Sequence, residues 1–173
     1  MDIKESDFVN KKEVQDCSQI LSSDFSKFIE LAEKHGITIL GKASNKKLMN
    51  SDKKTYELLG IKNPKIKVLW EEFMDHSYYR CILLKDDSDR ERVLAFSKTN
   101  IKNIDERIKG DIFAKEMPIG VLINKNQLEN KRIVYLPLKV KSEKGVRDAR
   151  AYIIKDLNGK IVFNIFEIFL ENL

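Results

Sequence analysis

Glu167 is the only charged residue in the apolar stretch Ile161–Leu170. Side chains alternate between the two faces of a strand, so on a strand Glu167 would share its face with apolar residues only. These are Ile161, Phe163, Ile165 and Phe169. Burying an ionised carboxylate without partners costs several kcal/mol, so it requires a cation, hydrogen-bond donors or a ligand that supplies them. If the strand instead lies at a sheet edge, the carboxylate meets water.

Arg80 is likewise the only charged residue in a second apolar stretch, Tyr78–Leu84. On a strand its face would also carry Tyr78, Ile82 and Leu84. Arg80 is therefore the candidate partner of Glu167. The two could form a structural ion pair across a sheet, or they could bind the polar groups of a small ligand. A planar guanidinium suits the second role because it holds a carboxylate through two parallel hydrogen bonds.

Two more arginines could belong to the same site. Arg132 lies in the predicted strand region Leu128–Leu136 and could face a shared cavity, or it could pair at the surface with Glu129 or Glu143. Arg150 precedes Tyr152 by two residues and could line the cavity beside it. Packing on the sheet surface is the alternative for Arg150.

The stretch Met117–Ile123 contains Pro118 followed closely by Gly120. This pattern turns the chain before a short helical stretch and leaves the first amide N–H groups pointing outwards, where they can donate to an anion. The same pattern also occurs where a turn only changes the chain direction. The stretch is therefore a candidate anion-binding turn, and a simple change of chain direction is the alternative.

The remaining pattern predicts the elements that position these groups. Apolar spacing and caps predict helices at about Phe8–Leu21, between the Ser22-Ser23-Asp24 cap and His35-Gly36, and at Asp52–Leu59. The segment Asn103–Phe113 is predicted to form one helix bent at Gly110 or two short helices. Apolar and β-branched runs predict strands at Ile37–Ala43, Lys65–Phe73, Tyr78–Leu84, Arg92–Ser97, within Leu128–Leu136, at Arg150–Ile154 and at Ile161–Leu170. Asn158-Gly159 predicts a type I′ turn that joins the last two strands in a hairpin.

The order of these elements indicates the fold class. About six strands, mostly joined by hairpins, and about four helices grouped at the start and in the middle are typical of an α+β domain. We expect a single antiparallel sheet with helices on one face or end. A length of 173 residues suits one domain over residues 1–173.

Composition excludes several classes of protein. Hydrophobic residues make up 42% and charged residues 34% of the chain, and no apolar run approaches the roughly 20 residues that span a bilayer. The chain starts without the apolar core of a signal peptide, so we expect a cytoplasmic location and no membrane partner. The two cysteines, Cys17 and Cys81, make neither a metal-ligand pair nor a disulfide framework, and we expect both to be buried fillers.

The formal net charge of +5 raises the question of nucleic-acid binding. The charges are scattered in mixed clusters such as Lys11-Lys12-Glu13 and Asp89-Arg90-Glu91-Arg92 and form no basic stripe. We therefore expect no nucleic-acid partner. A modest positive excess also favours a small anionic substrate by raising its concentration near the protein. The oligomeric state stays open.

Short blocks along the chain resemble the chorismate pyruvate-lyase family, including its archaeal and plastid-type branch. They occur in the same order from about residue 20 to the C-terminus. The blocks are Leu21–Lys27, Tyr79–Leu84, Leu94–Ser97, Met117–Gly120, Leu128–Arg132, Arg150–Tyr152 and Gly159–Phe169.

This resemblance implies a fold, a reaction and a set of site residues. The fold would be a single antiparallel sheet with helical flaps that close over an internal cavity. The reaction would remove pyruvate from chorismate to give 4-hydroxybenzoate, without a metal or an organic cofactor. By position in the blocks, Arg80 would bind a substrate carboxylate and Glu167 would lie near the ring hydroxyl. The turn at Ile119 and Gly120 would hold the same carboxylate by a backbone amide, and Arg132 would occupy a basic position. Phe25 would be a flap residue that lines the cavity, or it belongs to the core.

Domains of the same architecture also bind effectors in transcription regulators, so the resemblance leaves a second function open. The chain could be a non-catalytic domain that senses a small carboxylate. Such regulators carry an additional helix-turn-helix, and the roughly 20 residues before the helix that follows Asp24 are too few for one.

Overall fold

The computed structural model describes residues 25–43, 48, 55–104, 106–107, 109–110, 119, 131–156 and 158–171. The helix predicted at about residues 8–21, Cys17 and Gly120 lie outside these ranges. The described helices are α1 (Phe25–Lys34), α2 (Thr55–Leu58) and a 3-10 helix (Ile101–Asn103). The described strands are β1 (Thr38–Lys42), β2 (Lys65–Met74), β3 (Ser77–Lys85), β4 (Glu91–Asn100), β5 (Lys131–Ser142), β6 (Gly145–Lys155) and β7 (Ile161–Phe169).

The seven described strands form one antiparallel sheet in the order β1-β5-β6-β7-β4-β3-β2. Two meanders, β2-β3-β4 and β5-β6-β7, lie side by side and are joined through β4 and β7. The predicted single antiparallel sheet is confirmed, with seven strands in place of about six. Because β7 lies between β6 and β4, the alternative in which Glu167 meets water at a sheet edge is wrong.

One face of the sheet, here called the helix face, is covered by α1. Phe28 and Ala32 of α1 are buried against side chains from β1, β4 and β7, among them Ile39, Phe96 and Phe166. These apolar positions recur at helical spacing on α1 and at every second residue on the strands. The helix ends as predicted at Gly36, whose φ of 74° suits a glycine C-cap.

The opposite face, here called the site face, carries two separate apolar clusters. The first contains Ile82, Leu84, Val93, Ala95 and Phe169 of the strands, covered by Leu48 and Ile61. The second contains Tyr78, Tyr152, Ile154, Phe163 and Ile165, covered by Ile104 and Ile119. Arg80, Glu167 and Arg150 lie on this same face, in strand positions between the two clusters.

The hairpin that joins β6 to β7 is present, but its turn is not the predicted type I′. A two-residue loop at Asn158-Gly159 would close between positions 157 and 160, whereas the N–H of Asp156 donates to the Lys160 carbonyl at 2.9 Å and the N–H of Gly159 to the Asp156 carbonyl at 3.0 Å. The loop is therefore one residue longer, and Gly159 ends it with a φ of 78°. The Asp156 carboxylate supports the longer loop, because it accepts hydrogen bonds from the backbone N–H groups of Asn158 and Lys160, both at 2.9 Å.

Gly159→Ala is expected to lower the free energy of unfolding by about 1 kcal/mol, because a side chain at this positive φ is strained. A Cβ at Gly159 would meet nothing within 4 Å, so the loss would report backbone conformation alone. Gly110 is the matched control, since it also has open space but no positive φ, and it lies in a helical turn. Urea denaturation should show no loss for Gly110→Ala. Equal losses at both positions would contradict the assigned turn.

Candidate functional site

A buried ion pair joins β6 to β7 on the site face. Arg150 and Glu167 are directly opposite each other in the register of these strands, and Arg150 Nε donates to Glu167 Oε2 at 2.9 Å. Arg150 is 0% exposed and Glu167 is 5% exposed. Arg150 therefore packs on a face of the sheet beside Tyr152, and it is the buried partner of Glu167, a role that the sequence interpretation did not give it. Arg80 is also not the partner of Glu167 in the ion pair, because β4 separates β3 from β7.

Two hydroxyl groups complete the surroundings of Glu167. The Tyr152 hydroxyl donates to Glu167 Oε1 at 2.6 Å, and the Thr55 hydroxyl donates to the same oxygen. Arg150 Nη2 donates to Thr55 Oγ1 at 2.9 Å, so one hydroxyl bridges the two charged groups. Thr55 is the first residue of α2, so these hydrogen bonds connect this helix to the sheet. The carboxylate thus accepts three hydrogen bonds from within the chain.

Arg80 has a different environment, although it lies on the same face and is only 2% exposed. It sits opposite Glu71 of β2 and Ser97 of β4. Its Nε and Nη1 atoms have no hydrogen-bond partner among the described residues. Strands about 4.8 Å apart with a rise of about 3.4 Å per residue place the Cα atoms of Arg80 and Glu167 roughly 12 Å apart.

Two hydroxyl groups near Arg80 are also buried without a hydrogen-bond partner among the described residues. Ser97 is directly opposite Arg80, and Thr99 is directly opposite Tyr78. The Oγ of Ser97 and the Oγ1 of Thr99 are buried and have no hydrogen-bond partner within the described part of the chain. Buried polar groups are almost always hydrogen-bonded, and each one left unsatisfied costs about 1–3 kcal/mol. A guanidinium and two hydroxyls in this condition on neighbouring strands form a set of donors suited to an anion.

The electrostatics around Arg80 do not remove its charge. Burial lowers the pKa of the Arg80 guanidinium, and the nearby Tyr78 and Glu71 oppose this effect. Arginine nevertheless remains protonated in proteins. Burial and the hydrogen bond that Tyr78 donates to Glu71 at 2.7 Å raise the pKa of Tyr78 well above its usual value. Tyr78 is therefore neutral at physiological pH, and Arg80 is a buried cation.

The other predicted site residues are distributed as follows. Ile119 is buried in the same cluster as Tyr78 and Tyr152, on the site face. Gly120 lies outside the described residues. The backbone of Arg132 in β5 is opposite Ile154 of β6. Phe25 is the first residue of α1, which packs on the helix face and so on the opposite side of the sheet from Arg80 and Glu167.

Several other kinds of site are not found in the described part of the chain. It contains no group of three or more His, Cys, Asp or Glu side chains that could hold a metal ion. None of its helices is long and apolar enough to cross a bilayer. Cys81 is buried on the helix face, as expected for a filler, and burial raises the pKa of its thiol to about 12. Such a thiol is not a nucleophile at neutral pH.

The comparison with known proteins finds similarity to solved structures. No family model matches the chain, and no curated protein matches it. Among solved structures, the chain is similar to a possible transcriptional regulator, YydK, from Bacillus subtilis subsp. subtilis str. 168, with 12% identity and a TM-score of 0.46. The match covers 93% of this chain and 84% of that chain.

Proposed function

We propose that the protein is a chorismate lyase, which eliminates pyruvate from chorismate to give 4-hydroxybenzoate. The observation that carries this proposal is the buried Arg80, whose Nε and Nη1 lack partners among the described residues, on the sheet face that also carries Glu167. A ligand carboxylate supplies the missing acceptors. The segments that contribute Leu48 and Ile61, and Ile104 and Ile119, serve in this proposal as the helical flaps over an internal cavity.

Arg80 binds one carboxylate of chorismate. Its guanidinium offers the N–H donors of Nε and Nη1, which have no partner among the described residues, and the hydroxyls of Ser97 and Thr99 offer two more. Ile119 and Gly120 contribute backbone donors to the same carboxylate, and Arg132 contributes charge. Arg80, Ser97 and Thr99 are held in place by the strands, and their donors have no partner among the residues that the structure describes, so this part of the site is arranged for an anion before the ligand binds.

Glu167 is the group nearest to the ring hydroxyl. In the reaction the C4–H proton of chorismate is lost, its electron pair completes the aromatic ring, and the ether bond at C3 breaks. The departing enolpyruvate takes up a proton and becomes pyruvate. A carboxylate has about four acceptor positions, and the described residues use three of those of Glu167. In this proposal the fourth accepts the ring hydroxyl, and Glu167 assists loss of the C4 proton. The reaction requires no metal and no organic cofactor.

Glu167→Gln is expected to lower kcat by about 100-fold, the usual contribution of a positioned acid or base. The amide keeps the shape of the carboxylate, so the affinity for 4-hydroxybenzoate should change by less than about tenfold. Turnover is followed by the appearance of both products from chorismate, and affinity by calorimetry. If the wild-type protein turns over chorismate no faster than the spontaneous reaction, the lyase proposal fails. A larger loss in affinity than in turnover would contradict the role given to Glu167.

A second function is favoured by the hydrogen bonds of Glu167. Its carboxylate is already held by Arg150, Tyr152 and Thr55, an arrangement that also suits a purely structural ion pair. In that case Arg80 alone recognises the ligand, and the chain is a non-catalytic domain that binds a small aromatic acid. Tight binding of 4-hydroxybenzoate without turnover of chorismate would support this function over the first.

A further inference from the structure

The strand β2 lies at one end of the sheet, and no other described strand pairs with its outer edge. It is ten residues long, and its side chains are more exposed than those of β3 and β4. Leu69, Phe73 and Met74 are 39%, 59% and 41% exposed. A long edge strand with exposed apolar side chains is a surface on which another strand can pair.

The pairing with β3 shows which β2 side chains share a face. Ile66, Val68, Glu71 and Phe73 are opposite site-face residues of β3, and Lys65, Lys67, Trp70, Glu72 and Met74 are opposite the others. The register shifts between Val68 and Trp70. The site face therefore carries even-numbered residues of β2 before Leu69 and odd-numbered residues after it. This bulge limits how β2 can pair with a copy of itself, because paired residues must lie on the same face.

We infer that β2 pairs antiparallel with β2 of a second copy of this chain, about a twofold axis between Leu69 and Trp70. This register pairs all ten residues of the strand and keeps every pair outside the bulge on a common face. It places Lys67 opposite Glu72 of the second copy, and Ile66 opposite Phe73 of the second copy. The symmetry produces each pair twice.

The charges of β2 favour this partner over an unrelated strand. Lysines on an edge strand and a bulge often serve to prevent pairing. In β2, however, the lysines occupy the first half of the strand and Glu71 and Glu72 the second half, so a twofold axis brings opposite charges together. Cross-strand pairs of opposite charge stabilise a sheet, whereas like charges directly opposite each other destabilise it. The exposed Phe73 becomes covered by an apolar side chain in the same step.

Charge reversal on β2 tests this surface. Sedimentation equilibrium of the wild-type chain should show a dimer, and Lys67→Glu should raise its dissociation constant by about tenfold or more, because two attractive pairs become repulsive. Glu72→Lys should have the same effect. The double variant K67E/E72K restores opposite charges in both pairs, so its dissociation constant should return to within a few-fold of wild type.

Two controls keep the test specific. Glu72 also lies 3.5 Å from Lys27 of its own chain, so Lys67→Glu is the cleaner single variant, since it leaves that pair intact. Lys144→Glu makes the same charge reversal at an exposed site in the turn between β5 and β6 and should leave the dimer unchanged. Circular dichroism verifies that each variant is folded. A monomeric wild type, a dimer unaffected by either single variant, or a double variant no tighter than the single variants would each overturn the inference.

Discussion

Arg80→Met is expected to weaken ligand binding strongly while leaving the unliganded protein as stable as the wild type or slightly more stable. The affinity for 4-hydroxybenzoate should fall by about 100-fold, because the ligand carboxylate loses its charged partner in a buried site. The free energy of unfolding without ligand should stay unchanged or rise by about 1 kcal/mol. Methionine has a similar length, and it removes a buried cation whose Nε and Nη1 have no hydrogen-bond acceptor among the described residues. Calorimetry measures the first effect and urea denaturation the second.

Arg80→Lys separates charge from geometry in the same experiment. Lysine keeps the positive charge but cannot donate two parallel hydrogen bonds, so the affinity should fall by about tenfold, which is less than for methionine. If Arg80→Met instead lowers the free energy of unfolding by several kcal/mol, Arg80 has a structural partner, and the carboxylate site proposed here is wrong.

The alternation of side chains along each strand was the most informative part of the sequence. It predicts that Arg80 and Glu167 each stand among apolar neighbours, and the structure places both on one face of one sheet. Alternation does not give the order of the strands, however. The pairing of β4 with β7 joins segments more than sixty residues apart, and nothing local specifies it. The choice between Arg80 and Arg150 as the partner of Glu167 depends on that order.

One signal in the sequence would have identified the partner. Counting outwards from the predicted two-residue turn at Asn158-Gly159 sets Arg150 directly opposite Glu167. The observed loop is one residue longer, but the register shift between Ile154 and Lys155 restores this pairing. The hairpin was predicted correctly, whereas the type and the length of its turn were wrong. Arg150 and Glu167 are therefore an ion pair that local pairing could have revealed. The contact with Thr55 could not have been found in this way, because α2 is distant in sequence.

The strand β5 was predicted within residues 128–136, whereas it runs from Lys131 to Ser142. Pro137 interrupts the pattern, and a proline without an N–H normally excludes an interior strand. Here the neighbouring strand β1 ends at Lys42, which pairs with Leu138, so Pro137 lies just beyond that pairing. Its carbonyl still accepts from the N–H of Ala43 at 2.9 Å. A short partner strand therefore makes the proline tolerable, and that is a tertiary fact which the sequence does not carry.

Arg150→Met is expected to have the opposite effect to Arg80→Met, although both arginines are buried on the same face. Removal of Arg150 leaves the carboxylate of Glu167 buried, with the hydroxyls of Tyr152 and Thr55 as its donors among the described residues. Breaking a buried ion pair by removal of one partner typically costs about 3–5 kcal/mol, because the remaining charge is uncompensated. Urea denaturation should therefore show a loss of this size for Arg150→Met and none for Arg80→Met, so that each variant is the control for the other.

The double variant R150M/E167Q separates the loss of the pair from the loss of packing. Glutamine keeps an oxygen that accepts from Tyr152 and Thr55, but it carries no charge that needs Arg150. The double variant should thus be more stable than Arg150→Met alone, with a coupling energy of about 2 kcal/mol in the double-mutant cycle. A coupling energy near zero would mean that Arg150 contributes through its contacts with the rings of Tyr152 and Phe169. A coupling energy of about 2 kcal/mol would show that Arg150 is paired within the chain. The ligand carboxylate is then assigned to Arg80.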